Sequence, residues 1–219
     1  MLKGGLIPNR IYLVKGGPGA GKTIFSIQFL YTGVKNGENV IYVTLEEPTE
    51  EIKENMKLLG MNLDEYPNFH IIDASPTGKL AIFGDLFFRE FSPDLQGLRT
   101  ALEQVLGQIK PSRVVIDPIT MLELAAEKEI EYRRNLLIFF QMLKKFNVTV
   151  ILTTERTKES AEDFLVSGII ELLNYEIQGK TIRGIRIRKI RGSDFDEQIR
   201  PYRITSQGIE VYSEERLFT

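Results

Sequence analysis

Residues Arg10 to Thr23 read RIYLVK-GGPGAGKT, and this stretch decides the fold. Arg10–Lys15 (RIYLVK) has the short apolar run of a buried strand and leads without a break into Gly16-Gly17-Pro18-Gly19-Ala20-Gly21-Lys22-Thr23. The second segment fits G-x-x-x-x-G-K-[ST]. Its glycines let the backbone wrap around phosphate with the amides pointing inward, and the start of the following helix adds the positive end of its dipole. Contacts to a triphosphate are expected from Gly17, Pro18, Gly19, Ala20, Gly21, Lys22, Thr23 and Ile24. Lys22 is placed to reach the β and γ phosphates, and the Thr23 hydroxyl to hold Mg²⁺. A glycine turn at a strand end is the plain alternative, but the motif sits between a strand and a helix, where a phosphate loop belongs. A dinucleotide G-x-G-x-x-G fits poorly, because its third glycine would fall at Lys22.

Outward from this point, short apolar runs alternate with helical stripes, the pattern of an α/β protein with a mainly parallel sheet. A helix is expected from Thr23 to about Lys35. The strand Asn39–Leu45 (NVIYVTL) closes a first β-α-β unit. Ile52, Met56 and Leu59 mark a short helix that Gly60 ends, and Phe69–Ile72 is a further strand. Ser92-Pro93 signals a helix start, followed by an apolar stripe from Leu95 to Ile109. Arg113–Ile116 (RVVI) reads as a buried strand, Glu129–Phe146 as a long helix and Val148–Thr153 as a strand. After these come antiparallel strands at Ile169–Glu176, Thr181–Arg191, Pro201–Ile204 and Ile209–Tyr212. Ala74–Phe91, with Phe83, Phe87, Phe88 and Phe91, has no clean period and reads as core lining or a contact surface. With 219 residues and no low-complexity linker, residues 1–219 are expected to form a single domain.

Composition closes several doors. There is no cysteine, which excludes disulfide frameworks, thiolate metal sites and cysteine nucleophiles and fits a cytoplasmic protein. The single histidine, His70, leaves no histidine cluster for a metal. The longest apolar run, Leu136–Phe140, is far short of the ~20 residues that span a bilayer, so no membrane insertion is expected. A net charge of −2 gives no global pull toward nucleic acid.

Asp117, directly after RVVI, is the candidate second holder of the Mg²⁺ shell, with Asp73 after HII as the fallback. A turn aspartate at a strand end is the alternative reading. Hydrolysis needs a group that orients and polarises water. Glu46 and Glu47 follow the strand NVIYVTL on the edge that carries the phosphate loop, yet acids ahead of Pro48 also suit a helix start.

Taken together, GGPGAGKT, YVTLEEP, RVVIDPIT, ILTTERT and RIRKIRGS resemble the KaiC-like branch of RecA-type ATPases, from Lys3 to Tyr212. The resemblance implies a RecA-like P-loop NTPase fold: a mainly parallel central sheet flanked by helices, with antiparallel C-terminal strands. It implies ATP and Mg²⁺ as ligands, slow ATP hydrolysis, and a homo-oligomer, commonly a hexameric ring with ATP between subunits. Glu46 and Glu47 match the catalytic glutamates, Asp117 the Mg²⁺ aspartate, and Thr153, Thr154, Glu155 and Arg156 the segment beside the γ-phosphate. Lys189 and Arg191 match the cations that reach a neighbour's phosphates. In strand spacing, Ile185, Ile187, Lys189 and Arg191 share one face, an apolar face ending in two cations. A solvated basic strand end is the alternative. The family's histidine in that segment falls at Phe195, and its longer lead-in is reduced here to MLKGG, as in a truncated N-terminus. The other readings are an ATP-dependent switch with an unnamed protein partner and a DNA-recombination accessory like the RadA paralogues. Arg183, Arg186, Arg188, Lys189 and Arg191 form the candidate DNA patch; lacking an aromatic-basic platform, DNA is not the favoured partner.

Overall fold

The computed structural model of the chain describes residues 1–75, 81–82, 86–87 and 94–217. In chain order the elements are β1 (Ile11–Gly16), α1 (Lys22–Lys35), β2 (Val40–Thr44), α2 (Thr49–Leu58), β3 (Phe69–Asp73), β4 (Ala81–Ile82), β5 (Leu86–Phe87), α3 (Leu95–Ile109), β6 (Arg113–Asp117), α4 (Thr120–Leu124), α5 (Glu129–Lys145), β7 (Thr149–Thr154), α6 (Ala161–Leu165), β8 (Gly168–Ile177), β9 (Lys180–Ile190), β10 (Arg200–Thr205) and β11 (Gly208–Val211). A nine-stranded sheet runs β11-β10-β9-β8-β1-β7-β6-β2-β3. Strands β3, β2, β6, β7, β1 and β8 are parallel; β9, β10 and β11 then continue the sheet antiparallel. The mixed sheet is therefore the one anticipated. The first β-α-β unit is wider than a simple crossover, because β7 and β6 lie between β1 and β2.

Alternation along the strands sorts the core into two layers. Ile11 and Leu13 of β1, Ile41 and Val43 of β2, Val114 and Ile116 of β6 point toward α3 and α5, meeting Leu98, Leu102, Leu136 and Phe139. Tyr12 and Val14, Val40 and Tyr42, and Val115 point the other way, toward α1 and α2 with Ile27, Leu30, Ile52 and Met56. Strands buried on both faces read as continuous apolar runs, which is why β1, β2, β6 and β7 were legible. Gly168 opens β8 where strands crowd: a Cβ there would stand 2.6 Å from Ile190 Cδ1 and 2.7 Å from Tyr12 Cδ1.

Helix α3 is capped by Asp94, whose carboxylate accepts from the Gly97 amide at 2.7 Å. Ser92 and Pro93, and most of the Ala74–Phe91 segment, lie outside the described residues; Ala74 itself is buried and its amide donates to Thr44 O at 2.9 Å. Leu102 is fully buried between α3 and the sheet. Leu102→Ala should cost about 2–5 kcal/mol, read as a lowered urea midpoint with the slope unchanged.

Candidate functional site

The carboxyl ends of β1, β2 and β6 open onto one cleft of about 560 Å³. Strand β1 stops at Gly16, and the loop turns through Gly19 (φ 70°) and Gly21 (φ 85°), two left-handed positions that favour glycine. Helix α1 follows with no side-chain cap and no acidic residue in its first turn, which leaves its first amides available to an anion. From β10, Tyr202 anchors the loop by donating its hydroxyl to Ala20 O at 2.6 Å.

Pro18, Gly19, Gly21, Lys22, Thr23 and Ile24 line the cleft, with Glu46, Glu47, Asp117 and Glu155 facing them. Ala20 is buried behind the loop. Lys22 donates to Gly17 O at 3.3 Å and stands 3.7 Å from Glu155. Asp117 is buried and serves as a hub: its Oδ2 accepts from Thr23 Oγ1 at 2.8 Å and from the Tyr42 hydroxyl at 2.6 Å, and its Oδ1 accepts from Thr153 Oγ1. These contacts follow from alternation, since Asp117, Tyr42 and Thr153 all lie on the α1 face of their strands. The Thr23 hydroxyl beside the Asp117 carboxylate is a hard, all-oxygen donor pair that fits Mg²⁺, which usually takes one or two protein oxygens and completes its shell with water and phosphate.

The two glutamates are not equivalent. Glu46 is exposed, whereas Glu47 is half-buried with its carbonyl held by Thr44 Oγ1 at 2.6 Å. Burial first, then the charges of Asp117, Glu51 and Glu46, push the Glu47 carboxyl above the usual glutamate range. Asp73 is spent elsewhere: it accepts from the Thr49 amide at 3.1 Å and from Ser75 Oγ at 2.6 Å, capping the start of α2. Glu155, just after β7, lines the cleft, whereas Thr153, within β7, is fully buried and reaches the site only through Asp117. Thr154 turns to Thr120 Oγ1 at 3.1 Å, and Arg156 to Glu123 at 3.0 Å.

Lys189 and Arg191 stand apart from the cleft. A bulge in β9 sets Ile170 opposite Ile187 but Ile169 opposite Lys189, which skips Arg188 and reverses the alternation beyond it. Ile185, Ile187 and Ile190 therefore share the α1 face, and the single face expected for Ile185, Ile187, Lys189 and Arg191 does not exist. Lys189 lies on the opposite face, where its ammonium donates to Asp163 O at 2.7 Å, and Arg191 donates to Phe164 O at 2.9 Å. The reading from spacing fails because a bulge carries no composition signal of its own. In the candidate DNA patch, Arg186 pairs with Glu171 at 2.9 Å, and Arg188 with Glu159 at 3.0 Å and Glu171 at 3.4 Å. Tyr42 and Tyr202 escaped sequence reading, because only strand register brings them to the site. Among the described residues no helix is long and apolar enough to cross a membrane.

Comparison with known proteins agrees with this geometry. The family model described as "ATPase: KaiC" matches residues 1–216. A UPF0273 protein of Thermotoga maritima is 33% identical over 98% of this chain and 92% of its own length. The circadian clock oscillator protein KaiC of Nostoc sp. is 33% identical over 95% of this chain, which spans only 41% of that longer protein. Among solved structures, a KaiC-like protein from Pyrococcus horikoshii superimposes with a TM-score of 0.85 at 30% identity, covering 96% of this chain and 93% of that one. The chain belongs to the KaiC family of RecA-like P-loop ATPases.

Proposed function

We propose that this chain is a slow Mg-ATPase whose hydrolytic site is completed by a second copy of itself. The observation that carries the reading is one cleft holding Lys22, the Thr23–Asp117 pair at 2.8 Å and the half-buried Glu47, while Lys189 and Arg191 lie on the other face of the sheet. The loop amides and Lys22 bind and orient the triphosphate. Thr23 and Asp117 would hold Mg²⁺, which neutralises phosphate charge when bound. Glu47 is the better placed of the two glutamates to orient water and take its proton, with Glu46 beside it. Lys189 and Arg191 of one copy would then offset the charge that develops on the phosphate held by another.

In this reading residues 1–219 act as one domain in a homo-oligomer, for which the family resemblance suggests a hexameric ring. The cysteine-free sequence suits the cytoplasm. The ion pairs of Arg186 and Arg188 argue against a DNA-binding patch, because both cations are already engaged by carboxylates.

Mixing two inactive variants tests the shared site. One carries Lys189→Ala with Arg191→Ala; the other carries Lys22→Ala. Each alone should release little phosphate, and the mixture should recover activity, because intact loops of the first meet intact cations of the second. A mixture as inactive as its components would refute a shared site.

A further inference from the structure

Lys15 is an unusual residue to find beneath a phosphate loop. It is the penultimate residue of β1, adjacent to the loop, yet its side chain is only 2% exposed and points away from the cleft, toward α6. Its ammonium donates at 2.8 Å to each of three acceptors: Lys158 O, Asp163 Oδ1 and Asp163 Oδ2. Asp163, 7% exposed, also accepts from Ser160 Oγ at 2.9 Å and has Arg188 at 3.6 Å. All three donors of the lysine are thus used in one fixed arrangement.

The other side of α6 is held by the cations at the end of β9. Lys189 Nζ donates to the main-chain oxygen of Asp163 itself at 2.7 Å, and Arg191 to the next carbonyl, Phe164 O, at 2.9 Å. The carboxylate of Asp163 therefore grips the phosphate-loop strand while its carbonyl locates Lys189. A buried ion pair is a weak source of stability, since two apolar residues of similar volume often hold a fold equally well. What it fixes well is geometry, because each charge tolerates few positions once desolvated.

We propose that the Lys15–Asp163 pair is a positioning clamp, which ties α6 to the strand ending in the phosphate loop and so sets where Lys189 and Arg191 stand for another copy's nucleotide. The clamp rests on the shared-site reading, and its test separates the two. The Lys189→Ala/Arg191→Ala chain is mixed with the Lys22→Ala chain, or with a Lys22→Ala chain that also carries Lys15→Met and Asp163→Leu. The second chain's own phosphate loop is disabled in both mixtures, so any effect of the added changes must pass through its cations. Phosphate release in the clamp-free mixture should be about 10-fold to 100-fold lower, the scale of a charge-stabilising group displaced by up to an ångström. Light scattering should show that the clamp-free chain still associates with its partner, and a thermal melt that it remains folded. A Lys22→Ala/Asp163→Asn chain, which keeps the shape of the site, should show the same direction of change. Equal recovery in both mixtures overturns the clamp and leaves the shared site standing. Loss of recovery that merely follows loss of association also overturns it. No recovery with the clamp intact sinks the shared-site reading itself.

Discussion

Lys22→Ala is expected to weaken ATP binding by about 10-fold to 100-fold, the scale of losing a hydrogen bond between charged groups. Among the described residues lining the cleft, Lys22 is the only cation, and it faces Glu46, Glu47, Asp117 and Glu155. Without its charge the loop amides would have to hold a polyanion against four carboxylates. Fold stability should change little, because the lysine's contacts are a 3.3 Å bond to Gly17 O and a 3.7 Å approach to the exposed Glu155. Titration with a fluorescent ATP analogue reads the first effect and a thermal melt the second. Unchanged affinity in the variant would mean that the triphosphate binds elsewhere.

Glu47→Gln is expected to lower turnover by about 10²–10⁴-fold, the usual contribution of a positioned general base. ATP should bind as well as before or better, since one negative charge leaves an acidic cleft. The pH profile gives an independent signature. A base works only when deprotonated, and burial with the charges of Asp117, Glu51 and Glu46 raises the pKa of Glu47. Activity should therefore fall, as pH is lowered, at a higher pH than an unperturbed glutamate would give. The Gln variant should lack that acidic limb. Glu46→Gln should be milder, because Glu46 is exposed. If instead Glu46→Gln abolishes turnover and Glu47→Gln does not, the two roles are reversed. If neither matters while ATP still drives assembly, the protein works as a switch.

What sequence reading could reach was local. The glycine loop, the acids after β2 and the aspartate after β6 are each written in a few consecutive residues and sit at strand ends, where α/β sheets gather their ligands. The apolar runs of β1, β2, β6 and β7 are buried on both faces, so no partner information was needed to find them. Contacts that depend on register were out of reach. Tyr42 meets Asp117 only because β2 and β6 are aligned side by side, with Thr44 opposite Asp117. Lys15 looked like an ordinary strand residue, since nothing near it in sequence reveals Asp163, 148 positions away. Helices α4 and α6, of five residues each, are too short to show a helical period. The bulge in β9 matters most: one skipped residue moved Lys189 and Arg191 to the opposite face from the isoleucines that precede them. Asp73 looked like a site residue because it ends a strand, but it ends the edge strand β3 and caps α2.

The most direct test of a site shared between copies is phosphate release from Mg-ATP, measured per chain over a wide range of protein concentration. Turnover per chain should rise steeply with concentration and level off once the chain is fully assembled, and Lys22→Ala should abolish it throughout. Turnover that stays constant down to concentrations where light scattering shows only monomer would contradict the account, because a lone chain would then hydrolyse ATP without another copy's Lys189 and Arg191.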